Sequence, residues 1–459
     1  MAAPARRGPD RSRRVAFDAL RRVTGEDAYA NLVLPALLTE RGIAGRDAAF
    51  ATELLNGTCR WLGTYDAILE AASGRALGTL QPAVVDLLRL GAHQVLGMRV
   101  GTHAAVSETV DLAAATVGRR VTGLVNAVLR KVAAQDRDGW VERLGAGRDR
   151  FDQLALAHAH PRWVVEAYAE LLPADELVAA LVADNVSPEV SLVVRPGLAE
   201  VADLAAEAGG AEPARWSPFA VGGTGGNPAD LPLVRTGRAG VQDEGSQLVA
   251  WGVTRPPSAP GWWLDLSAGP GGKAALLTGL AAADGSRVLA GELAPHRAAL
   301  VANATRAYPL DQRPEVVVTD ATRPAWRTES FTRVLADVPC TGLGALRRRP
   351  EARWRRDPAD VEALHPLQRA LLTTALDAAA PGGLVAYVTC SPHRRETGDV
   401  VSETLAERDD VEVVPFGEVL PELVEPGTPA AAATDGRFLQ LWPHRHGTDA
   451  MFAAYLRRR

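Results

Sequence analysis

Two cysteines stand where a thiol could do chemistry. Cys340 lies in Asp337-Val-Pro-Cys-Thr-Gly and Cys390 in Tyr387-Val-Thr-Cys-Ser-Pro, each just past an apolar segment and inside a turn containing Pro and Ser or Thr. A free cysteine is usually a small buried hydrophobe, and Cys59, inside a helical run, is read that way. A thiol in a strand-to-loop turn can instead act as a nucleophile when its thiolate is stabilised. A third segment, Asp265-Leu-Ser-Ala-Gly-Pro-Gly-Gly-Lys273, also follows an apolar run and leads into a helix. Gly269, Gly271 and Gly272 allow a tight turn and close approach of backbone to a ligand, at which the helix N–H groups would point. Ser267 and Ala274 exclude a P-loop, and Ala274 also excludes a dinucleotide fingerprint.

Acidic residues close three successive apolar segments: Glu292, Asp320 and Asp337. The first could accept hydrogen bonds from both ribose hydroxyls of an adenosyl ligand, and the second from its adenine amino group. With no cradle for a pyrophosphate, the set fits S-adenosylmethionine better than NAD. A thiol beside a methyl-sulfonium donor suggests one reaction. Thiolate addition to C6 of a cytosine makes C5 nucleophilic, and a carboxylic acid on N3 or the exocyclic amine favours the addition. C5 then takes the methyl group. A base held in a duplex or hairpin must first be unstacked.

These groups need a scaffold, and the apolar patterning supplies one. Residues 10–145 read as a helical domain. Ala16, Leu20 and Val23 fall at helical spacing, Asp47 is expected as an N-cap, and Pro82 suits a first helical turn. Residues 146–238 read as a small α+β connector with a strand at 190–194 and a loop at 216–233, which is rich in Gly and Pro. From 239 to 459, strands expected at 262–266, 287–292, 315–320, 333–337 and 384–389 alternate with helices, and late strands follow near 438–442 and 451–455. Such alternation implies a doubly wound α/β sheet that places ligands at the carboxyl ends of its strands. A basic tail occupies residues 1–9.

Composition narrows the class. The chain has 459 residues, 47% hydrophobic and 23% charged, values that suit a globular protein and exclude wholesale disorder. No apolar run is long enough to span a bilayer, the start shows no secretory leader, and three cysteines make no disulfide framework. A cytoplasmic, reducing location is expected. The net charge of -5 argues weakly against nucleic acid, but residues 345–356 hold six arginines and one glutamate. Because Lys131 and Lys273 are the only lysines, arginine enrichment is by itself a composition bias.

Taken together, the motifs resemble the Sun (RsmB) branch of the NOL1/NOP2/Sun family of RNA cytosine-5 methyltransferases, over nearly the whole chain. The family's DxCAAPGGKT stands here as DLSAGPGGKA, its DxPCSG as Asp337-Val-Pro-Cys340-Thr-Gly, and its Thr-Cys-Ser as Thr389-Cys390-Ser391. The segments 241–250 and 441–452 also look like family elements, and the helical start resembles the NusB-like RNA-binding domain of the Sun branch. The resemblance implies a Rossmann-like class I methyltransferase domain acting on 16S rRNA. In it, Cys390 would be the nucleophile, Cys340 would assist thiol release, and Asp337 would lie between cofactor and base. Ser267, Ala268, Gly269, Pro270, Gly271, Gly272, Lys273, Glu292, Asp320 and Asp337 would hold S-adenosylmethionine. Against the family pattern, Ser267 replaces Cys, Gly269 replaces Ala, Ala274 replaces Thr, and Glu292 replaces the commoner Asp.

Beside the Cys340 turn, Arg347, Arg348, Arg349, Arg353, Arg355 and Arg356 are expected to contact RNA phosphates, a solvated loop being the alternative. Trp354 either stacks on a base or packs locally. His365 and His393 lack partners at ligand spacing, so no metal is expected. The expected partner is 16S rRNA or an assembling small subunit, and the protein is expected to be a monomer without membrane attachment. Three rivals are a cytosine-5 methyltransferase acting on tRNA or another rRNA site, a non-catalytic RNA-binding or ribosome assembly factor, and a small-molecule methyltransferase, which would need neither Cys390 nor the helical domain.

Overall fold

The computed structural model describes residues 10–223, 226–433 and 436–459, so the expected tail at 1–9 lies outside the described residues. The chain divides into two compact units. The first takes the chain as far as Ala169 and adds Ala174–Val186 and Leu346–Arg356; the second comprises Glu170–Pro173, Ser187–Ala345 and Asp357–Arg459. The stretch 146–238, read from sequence as one connector, is therefore shared between the two.

The first unit is helical. Its opening helix, Arg11–Gly25, is capped by the Asp10 carboxylate, which accepts from the Arg13 amide at 2.9 Å. Its apolar face buries Val15, Ala16, Ala19, Leu20 and Val23. Pro82 begins the helix Pro82–Leu96, as its fixed φ and missing N–H favour. Asp47, expected as an N-cap, instead lies within the first turn of Gly45–Arg60, where Ala44 is the cap residue. There its charge acts on the helix dipole rather than through a cap bond. Cys59 is fully buried, and burial raises its thiol pKa, as expected of a core cysteine.

The arginine run belongs to this unit, and its expected phosphate role does not survive for the central residues. Arg353 is 0% exposed. Its guanidinium donates to the carbonyls of Ala159 at 2.9 Å and Asp184 at 3.1 Å, and to Asn185 Oδ1 at 2.7 Å. Arg355 donates to the carbonyls of Val23, Asp27 and Ala28 at 2.7, 2.9 and 2.6 Å. Trp354 Nε1 donates to the carbonyl of Cys59 at 2.8 Å, and so packs rather than stacking on a base. Arg347 is buried as well, whereas Arg349 is exposed with its guanidinium 5.4 Å from the Tyr29 ring centroid. The acceptors lie at or just beyond the C-terminal ends of the helices Arg11–Gly25, Gly45–Arg60, Arg150–His158 and Ala174–Ala183. Helix C-termini leave carbonyls without intrahelical donors and carry partial negative charge. The run supplies those donors.

The second unit holds two sheets. The smaller is antiparallel, with β1 (Leu192–Val194) flanked by β2 (Ala220–Val221) and β3 (Ala239–Val241). The expected loop at 216–233 therefore contains β2, a 3-10 turn at Pro228–Asp230 and a short helix at Pro232–Arg235. The Gly and Pro residues punctuate these short elements rather than preventing them.

The larger sheet contains β4 (Trp262–Asp265), β5 (Arg287–Glu292), β6 (Glu315–Val318), β7 (Phe331–Asp337), β8 (Ala379–Thr389), β9 (Val411–Val414), β10 (Leu439–Gln440) and β11 (Phe452–Arg458). Strands run in the order β6-β5-β4-β7-β8-β11-β10, and β9 also pairs with β11. From β6 to β8 the pairing is parallel; β11 lies antiparallel to β8, with Phe452 opposite Thr389. Val334, Leu335 and Ala336 are all fully buried, as a parallel strand covered on both faces requires. The expected strand at 315–320 ends at Val318, which leaves Asp320 in the following turn; β9 had no sequence expectation. Because β4 leads to β5 on one side and lies against β7 on the other, the topological switch point falls between β4 and β7. Among the described residues, no helix is long and apolar enough to cross a membrane.

Candidate active site

The carboxyl ends of β4, β5, β7 and β8 carry the groups singled out in the sequence. Asp265 closes β4, and the glycine loop follows at once. The Ala268 amide donates to the Gly291 carbonyl at 2.9 Å, which ties the loop to β5. Gly271 has φ 109°, and a Cβ there would lie 2.7 Å from Ala304 Cβ and 2.9 Å from Val301 Cα. Only glycine meets both demands, and the helix Gly272–Asp284 starts immediately behind it. Within the loop, Ser267 is half-buried and Pro270 exposed.

Glu292 binds this loop to its own strand end. Oε2 accepts from the Gly269 amide and Oε1 from the Ala294 amide, both at 3.0 Å. Arg297 donates to the Gly269 carbonyl at 2.6 Å and lies 3.6 Å from Glu292 Oε2. A Cβ on residue 269 would come within 2.2 Å of Glu292 Oε2. Two departures from the family pattern are therefore coupled: the longer acid reaches into the space that an alanine methyl would fill. Asp320 is exposed beyond β6, and its Oδ1 accepts from the Thr322 amide at 2.9 Å and hydroxyl at 2.7 Å. Those two bonds, the hydroxyl's first, hold its carboxyl below the usual range.

Lys273 turns toward Asp337, with Nζ 2.7 Å from Oδ2. Burial pulls the ammonium pKa down, but attraction and hydrogen bonding to Asp337 outweigh it, with Cys390 and Asp265 adding to the rise. Asp265 is 1% exposed, and neither carboxylate oxygen has a partner of good hydrogen-bond geometry. Burial, reinforced by Asp337 and opposed by Lys273, pushes it up to about 7.

Cys340 and Cys390 meet at Sγ–Sγ 3.4 Å, fifty residues apart in the chain, and both are half-buried. The Cys340 hydrogen bond draws the Cys390 thiol below its usual range against burial; Lys273 helps, while Asp337 and Asp449 oppose. The same bond, then burial and the Glu396 charge, push Cys340 well up. The surroundings of the two sulfurs therefore differ in sign: they favour a thiolate at Cys390 and disfavour one at Cys340. Gly344 locks this corner: its amide donates to the Cys390 carbonyl, and its carbonyl accepts from the Ala450 amide, each at 2.8 Å.

Sequence reasoning gave no role to Glu396, Thr341 or Gln368. Glu396 is fully buried beneath the two cysteine turns and accepts from the Thr341 amide at 2.8 Å and hydroxyl at 2.5 Å, and from Gln368 Nε2 at 3.1 Å. No local pattern marks a carboxylate for that place. His365 lies between the Arg395 carbonyl at 2.7 Å and Glu403 at 2.8 Å, contacts that support the fold. Among the described residues, no three His, Cys, Asp or Glu side chains converge as a metal site.

Comparison with known proteins bears on both units. Residues 254–457 match the family model for 16S rRNA methyltransferase RsmB/F, and residues 10–134 match the NusB family. A putative methyltransferase of Mycobacterium tuberculosis is 50% identical over 461 aligned positions, covering 99% of this chain and 98% of that one. The ribosomal RNA small subunit methyltransferase B of Vibrio cholerae is 30% identical, covering 95% of this chain and 98% of its own. The crystal structure of PH0851 shares the fold with a TM-score of 0.80 at 22% identity, over 99% of both chains.

Proposed function

Because the chain belongs to the RsmB/Sun family of methyltransferases, we propose that it methylates C5 of a cytosine in 16S rRNA, using S-adenosylmethionine and a covalent bond from Cys390 to C6. The observation that carries this reading is the 3.4 Å thiol pair at the carboxyl ends of β7 and β8, near the Lys273–Asp337 ion pair that spans the β4–β7 switch point.

The residues fit the cofactor. A buried carboxylate without a partner, Asp265, suits the methionine ammonium, and the glycine loop lets backbone approach a ligand. Glu292 and Asp320 would take the ribose and the adenine amino group. When bound, S-adenosylmethionine supplies an electrophilic methyl group. The chain's own groups prepare the acceptor. The Cys390 thiolate adds to C6, and the displaced electron pair makes C5 nucleophilic. Asp337, held by Lys273, offers its carboxyl group to N3 or the exocyclic amine. After methylation the C5 proton passes to solvent water, the C5–H electron pair re-forms the C5–C6 double bond, and the carbon–sulfur bond breaks with its pair leaving on the Cys390 sulfur. The Cys340 S–H then donates to the departing thiolate. The NusB-like unit would add RNA affinity.

Incubation of the purified chain with labelled S-adenosylmethionine and either unmethylated 16S rRNA or tRNA, followed by mapping of 5-methylcytosine, tests the substrate. One modified cytosine in 16S rRNA is expected. Methylation of tRNA alone would move the substrate but keep the chemistry, and no methylation with RNA still bound would favour an assembly factor.

The Gly269–Glu292 coupling gives a second expectation. Gly269→Ala alone should weaken S-adenosylmethionine binding roughly tenfold, in line with an overpacking cost of about 1–3 kcal/mol. Adding Glu292→Asp, which withdraws the clashing oxygen, should restore most of it. A double-mutant cycle on cofactor affinity measures the coupling, and additive losses would refute it.

A further inference from the structure

We propose that Glu396 is a positioning residue for the two-cysteine reaction: its buried carboxylate clamps the Cys340 turn against the Cys390 turn and sets a fixed negative charge on the Cys340 side of the pair. The inference rests on the thiol chemistry proposed above, but the first arm of its test needs neither RNA nor cofactor.

The geometry surrounds Cys340 on both flanks. Thr341, the residue after it, gives its amide and its hydroxyl to the Glu396 carboxylate. Gln368 Nε2 reaches the same carboxylate at 3.1 Å and the carbonyl of Pro339, the residue before Cys340, at 2.9 Å. The clamp extends to the nucleophile's turn through the Thr341 and Ser391 hydroxyls, 3.3 Å apart, and Ser391 in turn accepts at its carbonyl from the Thr389 hydroxyl at 2.9 Å. The Tyr387 hydroxyl donates to the Glu396 carbonyl at 2.8 Å, which fixes the clamp to β8. Glu396, Thr341, Gln368, Thr389 and Ser391 are all buried. A buried carboxylate needs several good donors to be tolerated, and here the partners that satisfy it flank the reacting thiols.

The charge has a second consequence. Among the groups that act most strongly, Cys390 and Glu396 bear on Cys340, partly offset by a backbone hydrogen bond at Gly342, and Cys340, Asp337, Lys273 and Asp449 bear on Cys390. The only cation among them, Lys273, acts on Cys390, whereas the Glu396 carboxylate disfavours a thiolate at Cys340. Two like thiols in contact are thereby given unlike surroundings, which favour ionisation at Cys390 and disfavour it at Cys340. Glu396 does this without touching substrate or cofactor, through the Cys340 turn.

Glu396→Gln preserves the size of the side chain and an acceptor for the Thr341 amide while removing the charge. On the full chain, without RNA or cofactor, iodoacetamide labelling of each cysteine is followed by mass spectrometry across pH, with buried Cys59 as the internal control. Wild type should label first at Cys390. In Glu396→Gln, labelling of Cys340 relative to Cys390 should rise about fivefold or more, because the nearby buried charge that disfavours a thiolate at Cys340 is gone. In the transfer assay, kcat should fall roughly tenfold or more with the KM for RNA within about twofold, the pattern of a lost orienting contact rather than lost binding. Thr341→Val keeps the charge but cuts the hydroxyl link; it should lower kcat with the labelling order unchanged, and Thr341→Ser should restore kcat. An unchanged ratio of Cys340 to Cys390 labelling in a folded Glu396→Gln protein would overturn the proposal. If that variant does not fold, the Thr341 pair decides, and equal kcat in Val and Ser variants would overturn it. Altered labelling in a chain that methylates no RNA would leave the clamp standing and sink the proposed activity instead.

Discussion

Cys390→Ala is expected to abolish methyl transfer, by roughly 10⁴-fold or more, because the sulfur proposed to form the bond to C6 is gone. Cys340→Ala is expected to behave differently: it should still attack, then fail to release, and accumulate a protein–RNA species that survives a denaturing gel. The asymmetry follows from the arrangement of the pair. The two sulfurs are 3.4 Å apart, yet Lys273 acts on Cys390 while the Glu396 charge acts on Cys340. Removing Cys340 leaves the nucleophile on its strand end but takes away the S–H that meets the departing thiolate. Removing Cys390 leaves a proton donor with nothing to assist. Both variants should fold, since each cysteine is half-buried and the change to alanine removes a single sulfur. The measurement is a denaturing gel with labelled RNA beside a count of methyl groups transferred. A fully active Cys390→Ala protein would refute the covalent mechanism, and an adduct in Cys390→Ala but not Cys340→Ala would exchange the two roles.

The second large effect lies in the helical unit. Arg353→Ala is expected to cost about 3–5 kcal/mol of stability, because a fully buried cation is lost and its acceptors are left unpaired. In a unit of this size that is a fall of roughly 10 °C in the melting temperature of the first transition. Arg353→Lys should recover less than half, since an ammonium cannot serve acceptors spread across the planar guanidinium. Arg349→Ala, at an exposed position of the same run, should change stability by less than about 1 kcal/mol. Calorimetry on the full chain reads these shifts, and a salt titration of RNA binding separates them from phosphate contact. A residue that touches phosphate contributes to the salt slope, so Arg353→Ala should leave that slope unchanged. Normal melting with weakened, less salt-dependent RNA binding would return Arg353 to the RNA-contact reading.

The reading of Arg353 in the sequence failed for a specific reason. Six arginines beside a candidate active site look like a phosphate surface, and nothing nearby in the chain says otherwise. The acceptors of Arg353 include the backbone carbonyls of Ala159 and Asp184, 194 and 169 residues away. Every residue type carries a carbonyl, so no composition or spacing announces which of them a folded arginine will meet.

What the chain's order of residues determined by itself was local chemistry and its approximate place. The apolar runs before Asp265, Glu292 and Asp337 fold as β4, β5 and β7, because burial on both faces selects such runs for a parallel sheet. The glycine loop follows from backbone geometry alone, since Gly271 must adopt a positive φ against a neighbouring helix. The two cysteine turns follow from Pro and from small polar residues at strand ends. Tertiary structure decided how these pieces meet. It set the 3.4 Å approach of Cys340 and Cys390, placed Lys273 on Asp337, and turned Glu292 back onto Gly269. It also brought Glu396 under the Cys340 turn from 55 residues further along the chain, and made an apparent phosphate surface into a set of helix caps. Local preference is written in neighbouring side chains, whereas hydrogen-bond partners across a fold are chosen by packing, which brings together atoms that the sequence keeps apart.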